Sequence, residues 1–297
     1  MKKYGLFLFI SILLFSCEKT IKVSVLNQPP KLVVNAEIEN GKPPLVALSS
    51  SLNFFSAITP EELTSTFIHD AVVTITANNK VYPLIEYSFT DTSGFKYYFY
   101  TIDTTNIADL LTGSFNTSYL LNIKTPDGKQ YSSTTTIPLL TKLCDSLWWE
   151  PALNTDDTTL CRMFGKFTDP PGLGNYVRYF TKENDGPYLP GLNSTADDQV
   201  VDGITYTFQF DMGWDKNSTI KPTGDNYGFA HRGDTVTLKF CNIDKGTFDF
   251  WNTWDFAYQS YGNPFSSPIQ VTSNISNDAL GVFSGYAAQY KTLIIPK

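Results

Sequence analysis

Two histidines, His69 and His231, are all the imidazole this chain offers for acid–base or metal chemistry. Neither belongs to a His-Glu-x-x-His pattern, and no Gly-x-Ser-x-Gly elbow presents a nucleophile. A Ser-His-Asp triad depends on geometry rather than spacing. With two histidines and no nucleophile motif, both read as ordinary surface or core residues. Neither has cysteines at zinc-ligand spacing, and no phosphate-binding glycine loop or dinucleotide fingerprint occurs. Asp211, Asp215 and Asn217 could converge oxygens on Ca²⁺. The twelve-residue loop with its closing Glu is missing, however, so a solvated loop is the better reading. Arg232-Gly233-Asp234 matches a tripeptide read by animal integrins, but before a strand Gly-Asp is ordinary turn punctuation. Carboxylates for glycoside hydrolysis must face each other across a cleft, which spacing along the chain does not reveal. The residues therefore predict no enzyme, no cofactor and no metal site.

Aromatic residues make up 15% of the chain and charged ones only 17%, enough apolar surface for folded cores. Phe248, Trp251, Trp254, Tyr258 and Tyr261 recur at steps of three and four, which predicts one helix over about residues 244–261. Its stripe has two readings. Trp251, Trp254 and Tyr258 could form a ligand surface, or the stripe could pack on a sheet. Packing is favoured because any amphipathic helix must bury such a face.

The elements around that helix read as strands. KLVVNAEIEN alternates Leu32, Val34, Ala36 and Ile38. AVVTITANNKVYPLIEY reads as a hairpin turning at Asn78-Asn79, and SYLLNIKTPDGKQYSSTTTI as one turning at Pro126-Asp127-Gly128. Thr59 and Pro60 mark the cap and first position of a helical turn. Further strands follow in TTLCRMFGKFTD, NYVRYFTKE, ITYTFQFDM and HRGDTVTLKFCNI, the last with Val236, Leu238 and Phe240 on one face. The prediction is a mostly β protein of two β domains. An Ig-like or transthyretin-like sandwich spans residues 30–138, and a C-terminal β domain with one aromatic-faced helix spans 139–297.

The N-terminus has another character. Lys2 and Lys3 precede an apolar run, and Leu14-Phe15-Ser16-Cys17 ends it, with Glu18 and Lys19 next. A basic start, an apolar stretch and a small residue at the cut make a signal peptide, residues 1–16. The run is too short to cross a bilayer. Its end resembles the lipobox of bacterial lipoproteins, in which the cysteine is lipidated after cleavage. Cys17 then anchors a tether, residues 17–29, and several acyl chains on one residue hold firmly. Removing Lys2 and Lys3 takes the formal charge from -7 to -9, which argues against nucleic acid as partner. Cys144, Cys161 and Cys241 remain. Three thiols allow at most one internal disulfide. Cys144–Cys161 on neighbouring strands is the favoured pair and Cys161–Cys241 the rival, while all three could equally be reduced and buried.

Several stretches are similar to a Bacteroidota lipoprotein family known as domain-of-unknown-function family 4249. They are SCEKTI followed by PKLVVNAEI, AVVTITANN, FTDPPGLGNYVRYF, GDTVTLKFCNIDKGTFDFW and NPFSSPIQVTSNISNDALGVFSGYAA. The resemblance covers nearly the whole mature chain in one order. It implies an outer-membrane lipoprotein, facing the cell exterior and working beside a TonB-dependent receptor in nutrient uptake. It supplies no catalytic residues. The expected function is an accessory binding protein with an unknown ligand. The alternatives are a surface hydrolase acting on glycans or peptides and a structural subunit of an outer-membrane complex. The motif glycines Gly281 and Gly285 are expected at tight turns.

Overall fold

Alternation sets the architecture. In a computed structural model, which describes residues 29–52, 58–106, 109–153, 155–218, 227–260, 263, 266–267 and 269–297, Leu32, Val34, Ala36 and Ile38 of β1 (Leu32–Glu39) all face inward and are buried. β2 (Leu45–Ser50) pairs antiparallel with it. A short helix α1 (Pro60–Ser65) follows, capped by Thr59 Oγ1 accepting from the Glu62 N–H, with Pro60 in its first turn. β3 (Val72–Ala77) and β4 (Lys80–Thr90) form the hairpin expected at Asn78-Asn79, both residues at positive φ. β5 (Lys96–Ile102), β6 (Thr117–Lys124) and β7 (Gln130–Ile137) complete the N-terminal half.

The C-terminal half splits into two layers and a helix. β8 (Leu143–Pro151), β9 (Leu160–Thr168), β12 (Thr205–Phe210) and β13 (Ala230–His231) make a small sheet. β10 (Tyr176–Glu183), β11 (Leu189–Ala196), β14 (Thr235–Ile243) and β15 (Leu280–Ile294) extend the large one, ordered β11-β10-β14-β15-β1-β2-β5-β4-β3-β6-β7. Helix α2 (Lys245–Ser260) falls where the stripe predicts it. The chain is thus mostly β, with the helix where the period changes.

The large sheet crosses residue 138. β15, the last strand, pairs in parallel with β1 from Val33↔Leu280 to Glu39↔Tyr286, and antiparallel with β14. Its Phe283 and Ala287, with Ile275 and Ala279 just upstream, join the core built from β1 to β7. A second core, including Met163, Phe167, Val236, Leu238 and Phe240, fills the space between the two C-terminal sheets.

Gly281 and Gly285 lie within β15 rather than at turns. A Cβ on Gly281, whose φ is +107°, would overlap the Val34 carbonyl oxygen. One on Gly285 would sit 2.7 Å from the Thr136 oxygen of β7. Their chemistry is close approach of neighbouring strands.

Candidate functional site

The face of β10, β14 and β15 turned away from the second core carries α2, which lies across β11, β10 and β15. Tyr176, Phe180, Cys241, Ile243, Tyr286 and Phe248 pack there. Beside the helix a cleft of about 460 Å³ remains open. Its walls are β1 and β15 on one side, α2 on another, and the segment around Trp214 to Asn217 on a third.

Arg178 on β10 is 3% exposed and lines this cleft. Its guanidinium lies 3.4 Å from the centroid of Trp251 and 4.6 Å from that of Phe180. Nη1 donates to Tyr286 Oη at 2.8 Å and Nε to Ser194 Oγ at 3.3 Å. Among the described residues no carboxylate reaches it within ion-pair distance, although buried charges are as a rule paired. The neighbouring cation Lys239 is different, since its Nζ meets Glu39 Oε2 at 2.6 Å.

A second cation comes from the opposite wall. Lys216 Nζ pairs with Asp255 Oδ1 at 2.5 Å and lies 4.8 Å from the centroid of Trp254. Burial pushes this ammonium below the usual lysine range, with Asp255 working against the shift. Asp255 itself is 2% exposed, and its Oδ2 accepts from both the backbone N–H and the hydroxyl of Ser194 at 2.9 Å. Arg178, Ser194, Asp255 and Lys216 therefore form one chain of contacts. It holds two cations and one carboxylate, a surplus of one positive charge in an acidic protein.

The aromatic stripe frames these cations. Trp254 stacks on Tyr258 at 5.4 Å and 17°. Trp251 Nε1 donates to Ser284 Oγ at 3.1 Å, which fixes the ring that Arg178 lies on. Trp214 meets Tyr258 edge-on at 6.1 Å. Glu37 and Asn35 of β1, both exposed, look onto the cleft from the other side. Buried cations held on ring faces beside an open cleft are a means of attracting an anion.

The family profile described as a domain of unknown function, DUF4249, matches residues 18–292. The chain belongs to the DUF4249 family. No curated protein matches it. The DUF4249 match takes in β1 to β14, all of α2 and β15 as far as Thr292, hence every residue lining the cleft.

In this DUF4249 chain the sequence-predicted residues fare unequally. Trp251 and Trp254 line the cleft, and Tyr258 backs Trp254. Phe248 packs on Tyr176 at 4.7 Å. Tyr261 and Cys17 lie outside the described residues. The favoured disulfide is not made: Cys144 lies opposite Phe167 and Cys161 opposite Pro151, at the two ends of the β8–β9 ladder. Cys241 is on β14, and all three thiols are free and buried. His69 Nδ1 contacts Glu86 Oε1 at 2.5 Å, and His231 is exposed at the end of β13; neither lines the cleft.

Asp215 Oδ1 accepts from the Asn217 N–H at 2.9 Å. Neither Asp211 nor Asp215 belongs to the groups of described acidic, histidine and cysteine residues whose ligand atoms converge closely enough for a metal. One such group, Asp169, Asp198 and Asp202, already contains an internal cation. Lys142 Nζ, fully buried, meets Asp169 at 2.9 Å. The Arg232-Gly233-Asp234 turn is knitted into the protein. Arg232 Nε donates to the Thr158 oxygen, and Asp234 accepts from the His231 N–H.

Arg178, Lys216 and Asp255 are absent from the sequence-level candidates. Arg178 had a signal: in NYVRYFTKE it shares a face with Tyr176 and Phe180, an arginine in an aromatic row. Lys216 had none, since its place under α2 depends on a loop and a helix distant in sequence.

Proposed function

We propose that this DUF4249 protein is a lipid-anchored outer-membrane binding protein that captures a small solute beside α2 for a TonB-dependent receptor. The carrying observation is Arg178, buried without a carboxylate partner among the described residues in a cleft of about 460 Å³, a volume within the ordinary range of small-molecule sites. The anchor rests on the leader ending in Cys17, and the receptor on the family resemblance. Cleft binding needs no nucleophile, and neither histidine lines the cleft.

The test is recovery of the tagged protein from detergent-solubilised outer membrane. A β-barrel receptor that copurifies, together with palmitate label lost on Cys17→Ser, supports the reading. Recovery of the protein alone overturns the receptor partnership, and undiminished label overturns the anchor.

A second reading, a structural subunit, is favoured by the outer face of β4 and β5. Phe89 and Tyr97 pair there across the strands with 58% and 45% of their surfaces exposed, and Ile85 lies along the same face. Replacing Phe89 and Tyr97 by Ser would release any partner held by that face and leave the cleft intact.

A further inference from the structure

The cleft beside α2 has a chemical preference of its own, which rests on reading it as a ligand site. We propose that it selects a small organic monoanion, whose carboxylate sits against Arg178 and Lys216 and whose hydroxyl or amide N–H donors meet Glu37.

Arg178 supplies the first argument. Taking an ion out of water is costly unless a counter-charge replaces the solvent. Here two neutral hydroxyls and two ring faces do part of that work, and no carboxylate of the described residues completes it. A guanidinium has five donors, and the contacts to Ser194 and Tyr286 engage two of its nitrogens. A ligand carboxylate would supply both the charge and the remaining acceptors.

The rings supply the second. Trp251 and Trp254 look like a platform for stacking a sugar or a base, but the guanidinium lies against Trp251, and Trp254 has Tyr258 and Lys216 on it. The stripe acts as a cradle that keeps two cations buried and charged. The cations, rather than the rings, are what it offers the cleft.

Charge balance narrows the anion. Arg178, Lys216 and Asp255 sum to one positive charge, while Glu37 and Asp215, acids that also line the cleft, bring the five groups to a net -1, so the ligand must bring donors for those acids as well as a carboxylate for the cations. A carboxylate neutralises the surplus. A dianionic phosphate monoester would overshoot it and face both acids. Glu37 instead suits the donor-bearing end of the same molecule. Two sources carry that chemistry, a sugar acid and the free end of a peptide.

The test uses the mature lipoprotein in detergent, with binding read by tryptophan fluorescence and calorimetry. The probes are glucuronate against glucose, and N-acetyl-glycyl-phenylalanine against its C-terminal amide. The acid of at least one pair should bind at least about tenfold more tightly than its neutral partner, a difference of about 1.4 kcal/mol, and the responding pair names the source. Arg178→Met should weaken that acid by about tenfold or more, with Glu37→Gln weakening it less. Should Arg178→Met fail to fold, the acid-against-neutral comparison on the wild-type protein decides alone. Equal or tighter binding of the neutral partners, tighter binding of phenyl phosphate than of benzoate, or no binding of either acid at millimolar concentration overturns the proposal. A receptor that copurifies in that last case leaves the capture reading standing, so the two failures are distinguishable.

Discussion

Burial decides what each polar side chain in this protein can do. The three thiols show it most simply. Burial pushes Cys144 up to about 11 and Cys241 up to about 12, so neither is a thiolate near neutrality. The native protein should therefore resist thiol reagents, and in denaturant three thiols should react if Cys17 carries lipid, four if it does not. The same shifts set a pH dependence. The unfolded chain loses these protons near pH 9, whereas the folded chain keeps them to about 11 and about 12. Above pH 9 the native state binds more protons, so stability falls as pH rises, by up to about 1.4 kcal/mol per pH unit for each thiol. Urea titrations at successive pH values should show the midpoint falling, and Cys241→Ala should flatten that slope. Gly281 is limited by space and backbone angle together. Gly281→Ala forces a side chain onto the Val34 carbonyl at a φ that L residues rarely adopt. It should cost about 3 kcal/mol or more, read as a lowered urea midpoint.

Helix α2 shows what a sequence can and cannot say about an element. Its phase is legible, because steps of three and four between large aromatics have no other ready explanation, and the observed Lys245–Ser260 lies within a residue of the expected bounds at each end. Its chemistry is not legible. Asp255 looks like a solvent-facing residue between Trp254 and Phe256, yet it is buried because Lys216 and Ser194 come from other segments to meet it. The alternation of β1 was readable for the same reason as the helix phase, since period is local. The β1–β15 pairing was not, since parallel ladders are made by backbone groups that carry no sequence signature. Asp244 ties helix and sheet together. Its Oδ1 accepts from the Thr247 N–H as an N-cap, and its Oδ2 accepts from Thr136 N and Thr135 Oγ1 of β7, each at 2.7 Å. Asp244→Ala removes a cap worth about 1 kcal/mol and strands a β7 N–H at about 1–3 kcal/mol. A total loss of about 2–4 kcal/mol is expected in chemical denaturation, with Asp244→Asn losing less because one acceptor oxygen survives.

At the scale of the whole molecule, the question is whether residue 138 divides two independent folding units. The length and the end of the N-terminal run of strands at Ile137-Pro138 suggest that it does, but the contacts cross it. Phe283 and Ala287 of β15 are fully buried in the core made by β1 to β7, with Ile275 and Ala279 beside them. Hydrogen bonds follow the same route: Ser133 Oγ donates to the Asn274 oxygen, Ser276 N to the Ser132 oxygen, and Asn277 Nδ2 to the Gln130 oxygen. A fragment of residues 30–138 lacks all of these. Losing the burial of one Phe and one Ile alone removes about 3–6 kcal/mol, a large part of the 5–15 kcal/mol by which a domain is ordinarily stable. It also bares the edge of β1, an invitation to pair with another chain. The expected outcome is that the fragment melts without cooperativity or aggregates, while the mature chain shows one cooperative transition. Coexpressing 30–138 with 139–297 should restore that transition, because β15 can dock on β1 without a covalent link. A cooperative melt of the isolated fragment would instead establish residue 138 as a true domain boundary and reduce the β15 contacts to an interface.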